Sequence, residues 1–213
     1  MSLKSKIIAL LFIAFVPVVF GQYLIKVSPT QAVLSNEFGL AFEHRVRSKI
    51  SSEIQLGATY AKDIVPFESI FEKRFQDASP SQYGWGVYGG LSMRYYLLGY
   101  SVAPAGFYLG TLYKYRLFNA TFEDKLHTNS TMKGRNSQFV LQLLVGYQFP
   151  FTKVFSMDFY VGLGAAIQNE KVPTVGLQDA NYVWTTNKVK RTTFAPSIGV
   201  KLGFGKSGRE LLK

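Results

Sequence analysis

The sequence predicts an all-β protein: an eight-stranded antiparallel up-and-down β-barrel that spans a membrane. Three observations predict it. First, apolar and polar residues alternate in blocks of roughly a dozen. One parity reads Trp85, Val87, Gly89, Leu91, Met93, Tyr95, Leu97, and the other Gly84, Gly86, Tyr88, Gly90, Ser92, Arg94, Tyr96. A strand shows alternate residues to opposite faces, so one face is apolar with aromatic ends and the other small and polar. Second, long polar connections alternate with short ones, as outer-membrane barrels require. Third, the chain begins with an apolar leader.

The leader is residues 1–21, read as a secretory signal peptide: Lys4 and Lys6, an apolar run from Ile7 to Phe20, and Gln22 as the mature N-terminus. The run is shorter than the roughly 20 residues a spanning helix needs. A mean hydropathy of +0.08, with no second long apolar run, excludes a helical membrane protein. Residues 22–205 form the barrel domain and 206–213 a short periplasmic tail. The absence of cysteine rules out disulfides and thiolate sites. Removing Lys4 and Lys6 from 24 basic residues leaves 22 against 13 acids, about +9. In an exported chain that excess points to the phosphates of outer-membrane lipid and not to nucleic acid.

The elements follow in order. The first strand runs from Tyr23 to about Val33, interrupted by Pro29, with a short outer turn at Leu34–Asn36. Strands 37–46 and 50–61 are joined by a tight turn at Arg47–Lys49. A long loop spans about 62–83. Strands 84–97 and 105–118 are linked around Gly99–Pro104. A second long loop covers 120–136. Strands 137–149 and 155–168 are joined at Pro150–Val154. A third long loop covers 170–191, and the last strand is Thr193 to about Phe204. Pro196 lacks a donor and belongs at a bulge or rim. Eight strands put both chain ends on the periplasmic side.

Outward aromatic residues gather at the two strand ends. Phe42, Tyr95, Phe107, Tyr147, Phe149, Phe155 and Phe204 lie at one end, and Phe38, Tyr60, Trp85, Tyr115, Phe139 and Phe194 at the other. A soluble barrel of lipocalin type needs the reverse, an apolar lumen and a polar exterior. The inward parity carries Lys26, Glu37, Glu43, Arg45, Glu53, Arg94, Lys114, Arg116, Asp158 and Lys201. Eight strands enclose room for side chains only, and unpaired buried charges are costly. Glu43, Glu53 and Asp158 against Arg94, Lys114 and Arg116 therefore make the expected network. It reads either as a salt-bridged closed core or as a charged constriction on an ion path.

Four segments carry a resemblance: Phe42-Glu43-His44-Arg45, Met93-Arg94-Tyr95-Tyr96-Leu97, Pro104-Ala105-Gly106-Phe107-Tyr108-Leu109-Gly110 and Val145-Gly146-Tyr147-Gln148. Together they resemble a family of small outer-membrane β-barrel proteins common in Bacteroidota, which lacks an assigned function. His44 between Glu43 and Arg45 departs from that family's usual direct pair. In architecture the chain is also similar to the OmpA and OmpX types. The resemblance implies fold and location, and no activity.

For chemistry the chain offers little. Its two histidines, His44 and His127, have no convincing serine neighbour in sequence, and no ligand cluster indicates a metal. No enzyme activity and no cofactor are expected. The loops are the places for partners. Phe67, Ile70, Phe71 and Phe75 follow helical spacing, as an amphipathic partner-binding helix would or as a loop packed on itself would. Lys188, Lys190 and Arg191 sit above the outer girdle, where they contact lipid phosphates or form a solvated rim. Two functional classes stay open. One is a non-enzymatic barrel for envelope support or partner binding through extracellular loops. The other is a narrow, porin-like pore or a transport or secretion accessory. A lipid A-modifying enzyme is the third reading.

Overall fold

The computed structural model describes residues 22–62, 81–97, 103–124, 130–178 and 181–206. The expected leader and the Phe67, Ile70, Phe71 and Phe75 segment lie outside these residues. So does the tail beyond Lys206.

The described chain forms strands β1 (Tyr23–Val27), β2 (Glu37–Arg47), β3 (Ile50–Lys62), β4 (Ser81–Tyr96), β5 (Gly106–Asp124), β6 (Ser130–Pro150), β7 (Phe155–Gln178), β8 (Asn181–Phe194) and β9 (Ser197–Gly205), with helix α1 (Pro29–Ser35) between β1 and β2. Every pairing is antiparallel between neighbours, from β1 through β7. β9 pairs with both β7 and β1 and closes the ring. β8 pairs with the far part of β7 in the register that β9 continues: Phe194 faces Ala165, and Ser197 faces Gly162. The Ala195 amide still donates to the Gly164 carbonyl at 2.9 Å. β8 and β9 are thus one stave broken at Pro196, and the barrel has eight staves. Pro196 interrupts the ladder without shifting its register, as its missing donor requires.

Two expectations change. The stretch from Pro29 to Val33 is helix, not strand. Pro29 stands in the first helical turn, where its fixed φ suits the helix and its missing N–H costs nothing. Asn36, in the left-handed region at φ 51°, ends the helix. α1 lies against β9 and β2, where a longer first stave would have run. Thr30 stands in for a strand residue there: its Oγ1 accepts from the Val200 amide at 2.9 Å and lies 3.3 Å from the Val200 carbonyl.

The second change concerns the long polar segments 120–136 and 170–191. They are mostly ladder. β5 and β6 stay paired out to Asp124 and Ser130, and β7 and β8 out to Gln178 and Asn181. These segments break the regular alternation of apolar and polar residues, so alternation cannot reveal them, but their backbone bonds continue regardless.

The faces are sorted inside out. Leu143 is 69 % exposed and Phe194 66 %, while Arg94 is 1 % exposed. Inward glycines make room for tyrosine rings: a methyl on Gly199 would strike the Tyr160 ring, and one on Gly57 the Tyr88 ring.

Candidate functional site

The interior carries a network of six buried charges in the half nearer the chain ends. Glu43 and Glu53 face one another directly across β2 and β3. Like charges in that position repel, and two cations lie between them. Lys26 Nζ is 2.6 Å from Glu43 Oε2 and 3.6 Å from Glu53 Oε2. Arg94 Nη2 is 2.7 Å from Glu53 Oε2, and its Nη1 is 3.5 Å from Glu43 Oε1. Asp158 joins from β7, 2.8 Å from Lys26 and 2.6 Å from Arg94. Lys201 lies 2.5 Å from Glu53 Oε1. Three cations thus meet three carboxylates.

Neutral groups bind what remains of the carboxylates. Tyr108 donates to Asp158 Oδ1 at 2.8 Å, Ser51 to Glu43 Oε1 at 2.5 Å, and Gln55 to Glu53 Oε1 at 2.6 Å. The Tyr96 hydroxyl lies 3.1 Å from Glu43 Oε1 and 3.0 Å from Gln148 Oε1. Buried charges become tolerable when both their charge and their lone pairs are satisfied.

Lys114 and Arg116 do not join this network. Both bind Glu37, farther toward the opposite rim, and Arg116 also donates to Gln138 Oε1 at 2.7 Å. Their depth decides it. Lys114 stands four residues along β5 from Gly110, the residue opposite Arg94, which is about 13 Å of strand. Lys26 and Lys201 take the places expected of them. Arg45 is half-buried at the end of β2 and outside the buried charge set.

A recurring arrangement escaped the sequence. Tyr108 lies under the Arg94 guanidinium at 4.7 Å, Tyr88 under the Lys114 ammonium at 4.6 Å, and Tyr160 under Lys201 at 5.2 Å. Each of these rings also covers a glycine of a neighbouring strand, Tyr108 over Gly146, Tyr88 over Gly57 and Tyr160 over Gly199, and Tyr88 reaches on to Gly39 one stave farther. The signal was an inward tyrosine with glycine on the next stave, legible only once register is known.

On the outside, rings from three staves form a continuous chain at the terminal rim. Tyr147–Phe149, Phe149–Phe151, Phe151–Phe155 and Phe155–Phe204 have centroids 6.3, 4.6, 5.8 and 5.2 Å apart. Nearby, register places Ser52 beside His44, a neighbour the sequence did not reveal. The Ser52 oxygen straddles the ring, 3.1 Å from Nδ1 and 3.3 Å from Nε2. Which ring nitrogen serves the hydroxyl depends on the histidine tautomer.

Lys188 and Lys190 lie exposed on the outward face of β8, and Arg191 on its opposite parity. The three therefore do not share one face. No group of metal-ligating side chains occurs among the described residues. No protein-family model matches this chain, and neither does any curated protein or solved structure.

Proposed function

We propose that this protein is an outer-membrane β-barrel with a closed, charge-paired lumen, acting without catalysis in envelope support or in partner binding through its extracellular end. The inverted distribution of side chains carries this reading. On β6 the outward residues from Phe139 to Phe149 are all apolar or aromatic and all exposed, while the same stave turns Gln142 and Gln148 inward. Those 11 residues, tilted as barrel strands are, span about 25 Å, the height of a lipid-facing band. A globular protein in water does not expose such a belt on every stave.

The termini would lie in the periplasm and the long hairpins outside, after export by the leader at 1–21. The resemblance to the small Bacteroidota barrels belongs to this reading.

Closure is argued from solvent access. A water-filled pore leaves its lining charges wet. Lys26, Glu43 and Glu53 are 0 % exposed and Arg94 1 %. The test is to refold residues 22–213 in detergent and in planar bilayers. Folded protein should migrate differently on unboiled and boiled gels and show no steady conductance. A stable ohmic channel would replace this reading with a pore.

A further inference from the structure

We infer that the outward face of β5–β8 holds a binding site for a lipid carrying two phosphomonoesters, formed by Arg135, Lys171, Lys188 and Lys190. The inference rests on the membrane reading above and deepens it.

Register supplies the first observation. Arg135 faces Lys171 across β6 and β7, and Lys171 faces Lys188 across β7 and β8. Three cations stand side by side on one face of three adjacent strands, all exposed. One rung nearer the apolar band come Ser137, Asn169 and Lys190, again in register. Directly opposed like charges destabilise a sheet. In the lumen, the opposed pair Glu43 and Glu53 is bridged by Lys26 and Arg94. Here no acid is among the described residues that line the site. An anion from outside the chain would do what Lys26 and Arg94 do inside.

Shape supplies the second. The four cations line an open cleft of about 390 Å³, with Tyr115 and Leu117 at its apolar edge. Depth supplies the third. The next rung down is Tyr115, Phe139 and Ile167, the last rung at which the outward residues of β5, β6 and β7 are all apolar. Each rung rises about 5 Å along a tilted barrel. The basic rows thus stand about 5 and 10 Å above the hydrocarbon edge, near the polar layer that extends about 5–8 Å beyond it on each side.

Charge selects the ligand. A phosphomonoester carries about −1.5 to −2 at neutral pH, so two of them match four cations, whereas one zwitterionic phosphodiester leaves most of the charge unmet. Arg135 offers a planar fork for one phosphate, and the lysines offer point charges. Ser137 and Asn169 can hydrogen-bond a sugar hydroxyl. A bisphosphorylated glycolipid fits all of these features.

The test uses mature protein refolded into neutral-lipid nanodiscs, with bound lipid read by native mass spectrometry. The probes are a bisphosphorylated glycolipid, the same lipid with both phosphates removed, and inorganic phosphate as competitor. Wild type should prefer the phosphorylated form by about tenfold or more, the scale of charge-assisted hydrogen bonds. Variant R135Q/K171Q/K188Q should lose the preference while keeping its heat-dependent gel shift. Should that variant fail to fold, K188Q alone should weaken the preference in a salt-dependent manner. Equal binding of both lipids by wild type overturns the site. So does displacement of the glycolipid by an equal concentration of inorganic phosphate, which would indicate a soluble anion. Failure of the wild type to insert at all contradicts the membrane reading instead.

Discussion

Arg94 reaches across the lumen to Asp158, 64 residues further along the chain, with its Nη1 2.6 Å from Oδ2. The same guanidinium holds Glu53 with its other nitrogen. One side chain on β4 therefore ties β3 to β7 through the middle of the barrel. Removing it would leave two carboxylates, each 0 % exposed, with one cation fewer.

Breaking a buried pair from one side costs about 3–5 kcal/mol where the site is dry. Arg94→Ala should accordingly lower the urea unfolding midpoint well below that of wild type. Lys188→Ala, on the exposed outward face opposite Lys171, should not lower it. Equilibrium unfolding followed by gel mobility measures both.

The ring-over-glycine contacts predict a coupling. Gly199→Ala pushes a methyl into the Tyr160 ring, which supplies all three of the nearest atoms. Overpacking of this kind costs about 1–3 kcal/mol. In a Tyr160→Leu background the same substitution should cost much less, and the double-mutant cycle should show the difference. Additive costs would mean that the ring does not decide the glycine.

Helix α1 seals the seam between β9 and β2 through Thr30. Thr30→Val keeps the shape and removes the hydroxyl that serves the Val200 backbone. The site is half-buried, so the unpaired backbone group costs less than the roughly 1–3 kcal/mol of a fully buried one. Exchange of the Val200 amide with deuterium should accelerate, while the Leu202 amide, within the β1–β9 ladder, should keep its protection.

Topology is checked by labelling. Thr131→Cys lies exposed on the β5–β6 hairpin and Ser48→Cys in the exposed turn between β2 and β3. An impermeant maleimide should label the first in intact cells and not the second. The opposite pattern would invert the orientation.

Much of this was legible in the chain because a barrel wall has a period of two. That period puts Arg94, Asp158, Glu43 and Glu53 inside and Trp85, Leu143 and Phe194 outside. What it cannot supply is depth. Lys114 and Arg94 share the inward face, yet they reach different acids because Lys114 stands four residues farther along the β4–β5 ladder. Lys26 meets Asp158 only through the closure of β1 on β9. Arg135, Lys171 and Lys188 lie in segments without regular alternation, where only register brings them together. Pro29 reads as an interrupted strand because a helix of 7 residues, about two turns, is too short to show a helical period.

Whether the outward belt faces lipid is tested most directly at Trp85. It is 60 % exposed in the belt. With Trp184→Phe removing the other tryptophan, Trp85 emission should be read in vesicles of brominated lipid. Strong quenching is predicted, greatest with bromine near the headgroups, together with a blue-shifted emission maximum. Folded protein whose Trp85 emission is unquenched and unchanged from buffer would contradict a membrane barrel.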